Sequence, residues 1–535
     1  MKASDLFVKC LEQEGVEYIF GVPGEENLDL LDSLGKSGIR LIVTRNEQTA
    51  VFMAANYGRF RGKPGVALST LGPGATNLVT GVGYAQLNGL PVVVITGQKP
   101  IKKSKQGEFQ IIDVVSMMKP LTKSARQIQS ANSIPALVRQ AFKTSMAERP
   151  GAVHLELPED IARDSVDARP MVQDEIRRPV VEDKAFNRLV EALKSSKRPV
   201  ILIGAGANRK RISKYLTEFI KKYNIPFFES QMGKGVVDER LAQYVGTAAI
   251  SSGDHVHKAI EHADLILAIG HDTLEKPTNF LCESHAHTKL VHINYYEAKM
   301  DEVYHPDLEI IGDIGNLFWR LCEADISFSW EHGAMYEAAK EGLESAYAPA
   351  PKPAAAGPVM PQQLIQSLRK LLGEKDIVAL DNGWYKIWFA RNYPVYFPNT
   401  LLLDNTFATM GAGLASGTIA KYLNPGHKAV VVTGDGGLVM NLGDLETTVR
   451  LGIDIVVLVM NNKSLGMIQI KQRQQGLAEF GLGLTNPDFV KLAESFGATG
   501  MRVGDPSKLE EALGKALGTK GVVLIDVPFD YPEAF

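Results

Sequence analysis

Two stretches of the chain end apolar runs with residues able to do chemistry. Residues 428–437, KAVVVTGDGG, place Gly434, Asp435, Gly436 and Gly437 after a row of valines, and residues 454–462, DIVVLVMNN, finish on Asn461 and Asn462. Glycines let backbone N–H groups approach a phosphate, and a helix N-terminus beside them favours negative charge. One carboxylate and one amide oxygen make a poor full cage for a cation. They are a good partial shell for Mg²⁺ whose other ligands are phosphate oxygens and water. Either half alone also fits a plain turn without ligand; together, at this spacing, they suit a metal-bridged diphosphate.

For Asp435 and Asn462 to meet, the two runs must be neighbouring parallel strands, with residues 441–452 (NLGDLETTVRLG) as a crossover helix. A right-handed unit of this kind brings both strand ends to the carboxyl edge of the sheet, where open α/β sheets form ligand sites. The same alternation runs through the chain: EYIFGV, a helix near Asn27 to Leu34, IRLIVTR, a helix from about Gln48 to Arg61, GVALST and PVVVITG. It predicts parallel sheets covered by helices on both faces. Polar, Pro-containing residues 164–190 and the Pro/Ala-rich 347–361 divide the chain into α/β domains expected at 1–165, 190–345 and 360–530.

Composition narrows the partners. With 45% apolar and 22% charged residues and a formal net charge of −3 in 535 residues, nothing points to nucleic acid or membrane. The short basic clusters Lys99 to Lys105 and Arg209-Lys210-Arg211 read as solvated surface. Cys10, Cys282 and Cys322 are far apart with no CxxC spacing, which argues for a reducing compartment, no disulfide framework and no thiolate zinc site. The opening MKASDLFVKCLEQEG reads as an amphipathic helix and no apolar run approaches membrane length, so a cytoplasmic protein is expected.

GDG followed by NN resembles the thiamine-diphosphate signature of the thiamine-dependent decarboxylase and acetolactate synthase family. The likeness continues through FGVPGEENLDLLD, the Glu of TRNEQTA, TLGPGATNL and PVVVITGQKP, which look like the family's pyrimidine-binding domain. It implies three doubly wound α/β domains (pyrimidine-binding, central and diphosphate-binding) and a homodimer or homotetramer with active sites between subunits. It further implies Mg²⁺ held by Asp435, Asn462 and the backbone carbonyl of Ser464, with thiamine diphosphate meeting Gly434, Gly436 and Gly437. Asn382, Gly383, Trp384, Ala408, Met410, Leu465, Gly466 and Met467 would complete that half of its site, Met410 supporting the bent cofactor. Pro23, Gly24, Thr70 and Asn77 would serve the pyrimidine half. Glu47 matches the essential glutamate: a carboxylate on the aminopyrimidine nitrogen favours the imino tautomer, which can take the thiazolium proton.

The substrate implied is a 2-keto acid, and two outcomes compete. No two histidines are adjacent, and the first is His154, whereas simple keto-acid decarboxylases of the family commonly carry a His-His pair. Phe109-Gln110 looks like the acetolactate synthase stretch whose Gln lies beside the cofactor, and LETTVRLG, FVKLAESFGA and IDVPFDYPEAF resemble the FAD-independent, catabolic acetolactate synthases. The expectation is a carboligase forming 2-acetolactate and CO₂ from pyruvate, with a keto-acid decarboxylase or aldehyde lyase as the alternative. Four positions depart from the acetolactate synthase pattern: Asn46, Trp384-Tyr385, Lys471 and Glu25. Glu25 could act as a catalytic acid or simply cap a helix. ILIGAGANRKR could take an adenine dinucleotide, so FAD is possible but not favoured. An ordinary Rossmann dehydrogenase is disfavoured because no acidic residue is evident about 20 residues further on in a clear second strand.

Overall fold

The computed structural model describes residues 1–102, 107–173, 178–249, 254–275, 288–300, 304–348 and 357–530. Three six-stranded sheets form among them, and every pairing is parallel. The first holds β1 (Tyr18–Gly21), β2 (Arg40–Val43), β3 (Gly65–Ser69), β4 (Val92–Gln98), β5 (Ser124–Gln127) and β6 (Ala152–Pro158) in the order β2-β1-β3-β4-β6-β5. The second holds β7 (Pro199–Ile203), β8 (Phe227–Ser230), β9 (Tyr244–Ala248), β10 (Leu265–Ile269), β11 (Lys289–Asn294) and β12 (Leu308–Ile311) in the order β12-β11-β10-β7-β8-β9. The third holds β13 (Ile377–Leu380), β14 (Leu401–Leu402), β15 (Ala429–Gly434), β16 (Ile455–Asn461), β17 (Thr499–Arg502) and β18 (Val522–Pro528) in the order β14-β13-β15-β16-β18-β17.

The reason for the parallel arrangement is visible in burial. β3, β4, β7 and β10 are buried at every position, because helices cover both faces and strands there need continuous apolar runs, without alternation. The first and third sheets repeat one strand order. The central sheet, counted from β9, follows the dinucleotide-fold order 3-2-1-4-5-6.

Helix Glu47–Arg61 packs along helix Ala412–Leu423, so the first and third domains meet in one core that includes Val51, Ala54, Ala412 and Ile419. Asn56 Nδ2 donates to Ser416 Oγ at 2.9 Å across that seam.

Several local expectations need correcting. The crossover helix expected over 441–452 is the shorter Asp444–Arg450, and a separate short helix, Asp435–Met440, precedes it. Helix Asp183–Ser195 begins inside the stretch read as linker, and its Leu189 and Leu193 enter the central core. Lys99 is not solvated surface: it is 5% exposed and paired with Glu26 at 2.5 Å. Arg209 is likewise half-buried and bound to Glu148 at 2.6 Å. Glu229 does supply an acid on β8, the second strand of the central domain, although burial beside Glu239 holds its carboxyl well above the usual range. Lys103 to Lys105 and Cys282 lie outside the described residues.

Candidate active site

β15 and β16 pair with Gly434 opposite Met460, so the chain leaves both strands at one edge with Asp435 and Asn462 side by side. Asp435 is 3% exposed. Its Oδ1 accepts from the Gly436 N–H at 2.9 Å, and its Oδ2 accepts from the Lys463 N–H and from Asn486 Nδ2, both at 2.7 Å. Lys463 adopts a φ of 55°, in the left-handed region. That reversal returns Ser464 toward Asn462, whose Oδ1 accepts from the Ser464 N–H at 3.3 Å.

Behind this edge lies a second carboxylate. Asp381 is 1% exposed and accepts from the Asn382 N–H at 2.7 Å, the Gly411 N–H at 2.9 Å and Thr433 Oγ1 at 2.9 Å. Burial pushes its carboxyl up to about 6. The group joins three segments of the site: the turn after β13, the loop that ends at Gly411, and the end of β15. A Cβ on Gly437 would stand 2.6 Å from Asp381 Oδ2, so only glycine lets the GDG turn lie this close. The phenolic oxygen of Tyr385 accepts from the Gly434 N–H at 2.9 Å.

The loop 404–411 is shaped from within. Ala408 and Gly411 have φ values of 53° and 88°. The Asp404 carboxylate accepts the N–H groups of Thr406, Phe407 and Thr409. Buried Lys386 donates to Asn382 Oδ1 at 2.6 Å and to the Asp404 carbonyl at 2.7 Å, tying that loop to the helix Trp384–Asn392.

These segments enclose a cavity of about 890 Å³. Asn382, Gly383, Trp384, Ala408, Met410, Gly434, Asp435, Gly436, Gly437, Asn462, Ser464, Leu465, Gly466 and Met467 all line it. Every residue expected on the diphosphate side is therefore brought to one place. The donor set fits a metal-bridged diphosphate: a carboxylate, an amide oxygen and a glycine turn at a helix start, with no cluster of three or more His, Cys, Asp or Glu side chains among the described residues to hold an ion unaided. Lys386 and Lys471 share the wall, as does Gln231 from the central domain.

None of the residues expected on the pyrimidine side lines that cavity. Glu47 opens its helix at 7% exposure, and its Oε2 accepts from Asn77 Nδ2 at 2.9 Å. A Cβ on Gly74 would stand 3.1 Å from Glu47 Oε1 and 2.9 Å from Thr70 Cγ2, and one on Gly24 would stand 2.4 Å from Thr70 Cβ. Gly24, Thr70, Gly74, Asn77 and Glu47 thus form a second cluster, at the carboxyl edge of the first sheet. Gln110, with a φ of 59°, abuts it through its carbonyl beside Gly72. Pro23, Glu25 and Gln110 are exposed on the single chain.

Sequence reasoning missed part of this. It singled out Glu25, whereas Glu26 is the buried carboxylate, 6% exposed, bound by Lys99 and by the Thr70 hydroxyl. The Lys99 ammonium and Thr70 hold the Glu26 carboxyl below its usual value against the opposing effect of burial. Lys386 and Asn486 were also missed. Lysine inside the apolar WYKIWF was a visible sign of a buried cation, while Asn486 carries no local signal.

The three-sheet fold defines a class, and family comparisons agree. Residues 1–117 match the N-terminal TPP binding domain of thiamine pyrophosphate enzymes, 186–321 the central domain and 381–527 the C-terminal TPP binding domain. Curated relatives refine this. The chain is 32% identical to the acetolactate synthase of Bacillus subtilis (strain 168), covering 99% of this chain and 94% of that protein. It is 30% identical to the catabolic acetolactate synthase of Raoultella terrigena over 99% and 95% of the two chains. With the acetolactate synthase large subunit of Haemophilus influenzae the identity is 30% over 100% and 95%. The chain belongs to the acetolactate synthase family of thiamine pyrophosphate enzymes.

Proposed function

We propose that the protein is a thiamine-diphosphate- and Mg²⁺-dependent acetolactate synthase that decarboxylates pyruvate and joins the two-carbon unit to a second pyruvate, giving 2-acetolactate and CO₂. The observation that carries this reading is the assembly of the whole expected diphosphate set around one cavity, with Glu47 held ready in a second cluster. Because that second cluster does not reach the cavity of its own chain, the reading includes a homodimer in which each subunit completes the other's site.

Asp435, Asn462 and the Ser464 carbonyl would hold Mg²⁺, and the N–H groups of Gly436 and Gly437 would receive the diphosphate. When bound, the cofactor supplies a nucleophilic carbon and an electron sink. Asn77 fixes Glu47 through Oε2, and the missing side chain of Gly74 leaves room beside Oε1, so Glu47 can exchange a proton with a base placed there. Lys386, Asp404 and Asp381 set the wall that carries Ala408 and Met410. The buried His154 lies within β6 and bonds Thr96 at 2.8 Å, so it takes no part in delivering a proton to product. Among the described residues no helix is long and apolar enough to cross a membrane, and Cys10 and Cys322 are free thiols, in keeping with work in the cytoplasm.

The test is product analysis of the purified enzyme with pyruvate, thiamine diphosphate and Mg²⁺. Acetolactate is the expected product. Acetaldehyde alone would replace the carboligase with a keto-acid decarboxylase.

A further inference from the structure

The central sheet has the strand order of a dinucleotide fold, and a glycine turn, Gly204-Ala205-Gly206-Ala207, follows its first strand β7. In such folds the turn offers backbone N–H groups to a pyrophosphate in the crevice between β7 and β10. Here those groups are already used. The Gly204 N–H donates to the Ile269 carbonyl at 2.9 Å, Gly206 to Gly270 at 2.8 Å, Ala207 to Gly204 at 3.1 Å, Asn208 to Ala205 at 3.0 Å and Arg209 to Ala207 at 2.7 Å. The remaining one, of Ala205, donates to Oε1 of Glu275 at 2.9 Å.

The glycines are explained by this closure. A Cβ on Gly204 would stand 2.5 Å from His271 Cα, one on Gly206 2.9 Å from the Gly270 carbonyl oxygen, and one on Gly270 2.4 Å from the Ala207 nitrogen. The turns after β7 and β10 lie directly against each other, in the place where a ligand would separate them. Glu275 is 1% exposed, and its second oxygen accepts from the Ser230 hydroxyl at the end of β8. The space left between the turn and the first domain, walled by Ala205, Asn208, Arg209 and Asp272 on one side and Glu148 and Arg149 on the other, is about 180 Å³, below the ~300 Å³ at which ordinary ligand pockets begin. The acid on β8, Glu229, faces the buried Lys234 and Glu239.

We propose that the Glu275 carboxyl group occupies the phosphate position of this turn, so that the crevice between β7 and β10 takes no adenine dinucleotide. FAD does not fit these residues. The assignment goes beyond the reaction proposed above and holds whichever product the enzyme makes.

Two measurements test it on the full-length enzyme loaded with thiamine diphosphate and Mg²⁺. Titration with FAD by flavin fluorescence, and with ADP by calorimetry, should show no saturable binding up to about 0.1 mM, well above the dissociation constant of a specific site. Saturable micromolar binding of either overturns the proposal while leaving acetolactate formation untouched. In Glu275→Ala the Ala205 N–H and the Ser230 hydroxyl lose their acceptor. The melting temperature of that variant should fall, then recover in a saturable way with added acetate or inorganic phosphate, to which the wild type does not respond. A variant no more responsive than wild type removes Glu275 from the phosphate position. The wild-type titration needs no variant, so it remains decisive if the alanine protein does not fold.

Discussion

Gly437→Ala tests whether the GDG turn is held by Asp381. The added Cβ would lie 2.6 Å from Oδ2, 3.2 Å from Cγ and 3.3 Å from Thr433 Oγ1, where ordinary contact begins at 3.4 Å. Asp381 has no room to yield, being 1% exposed and bonded to Asn382, Gly411 and Thr433. The turn must therefore withdraw toward the cavity by most of an ångström. Overpacking of this kind costs ~1–3 kcal/mol, which is a roughly 5- to 150-fold loss if it falls on the cofactor-bound state. The assay is titration of cofactor-stripped enzyme with thiamine diphosphate and Mg²⁺, followed by the fluorescence of Trp384 in the cavity wall, together with thermal unfolding of the free protein. Gly436→Ala is the control. Its Cβ meets the flexible ends of Met410 and Leu484 at 3.2 and 3.3 Å, so the free protein should unfold with the wild type. Gly437→Ala with affinity and stability both within about twofold of wild type would refute the argument.

Three further outcomes follow from the same geometry. Glu47→Gln keeps an oxygen for Asn77 and should retain the fold and most of the diphosphate affinity, while turnover falls by ~10²–10⁴-fold; near-normal turnover would remove Glu47 from the mechanism. Asp435→Ala removes the only carboxylate of the expected metal set, so Mg²⁺-dependent cofactor binding should vanish, as should activity of the wild type in chelator, and a variant whose affinity still rises with Mg²⁺ would contradict this. Burial pushes His154 from 6.5 down to about 3, so the unfolded chain binds the extra proton between those values. The associated stability is complete above pH 6.5 and is lost as pH falls toward 3, by at most ~5 kcal/mol. His154→Leu should flatten acid destabilisation measured by melting temperature, and an unchanged slope would show that other groups carry it.

The alternation of strands and helices was legible because strands covered on both faces must be continuous apolar runs, as β4 and β15 are. Asp435 and Asn462 were legible for a related reason: both end strands of one βαβ unit, so local pattern fixes their meeting. What escaped were partners that only the fold unites. Lys99 and Glu26 are 73 positions apart, and Asn486 reaches Asp435 across 51. A lysine two residues from Ile101-Lys102-Lys103 looks like surface until a buried carboxylate is found beside it. The GAGAN turn failed in the opposite direction. Its glycines signal close approach, but sequence cannot say whether a ligand or, as here, the backbone of Gly270 and His271 comes close.

The repeated strand order gives the two residue clusters equivalent places in their domains. The first and third sheets each place the proposed site residues at a carboxyl edge, Gly24, Thr70 and Glu47 on one and Gly434, Asp435 and Asn462 on the other. Within one chain the two domains meet through helices Glu47–Arg61 and Ala412–Leu423. That contact orders both domains but does not bring the Glu47 cluster to the cavity wall. A related pairing between chains would set the Glu47 edge of one subunit over the Asp435 edge of the other. Dissociation should then abolish turnover while leaving each subunit's metal and diphosphate residues in place. The dilution dependence of activity, measured against sedimentation, tests this: monomers as active as the assembled enzyme would mean that one chain holds a complete site.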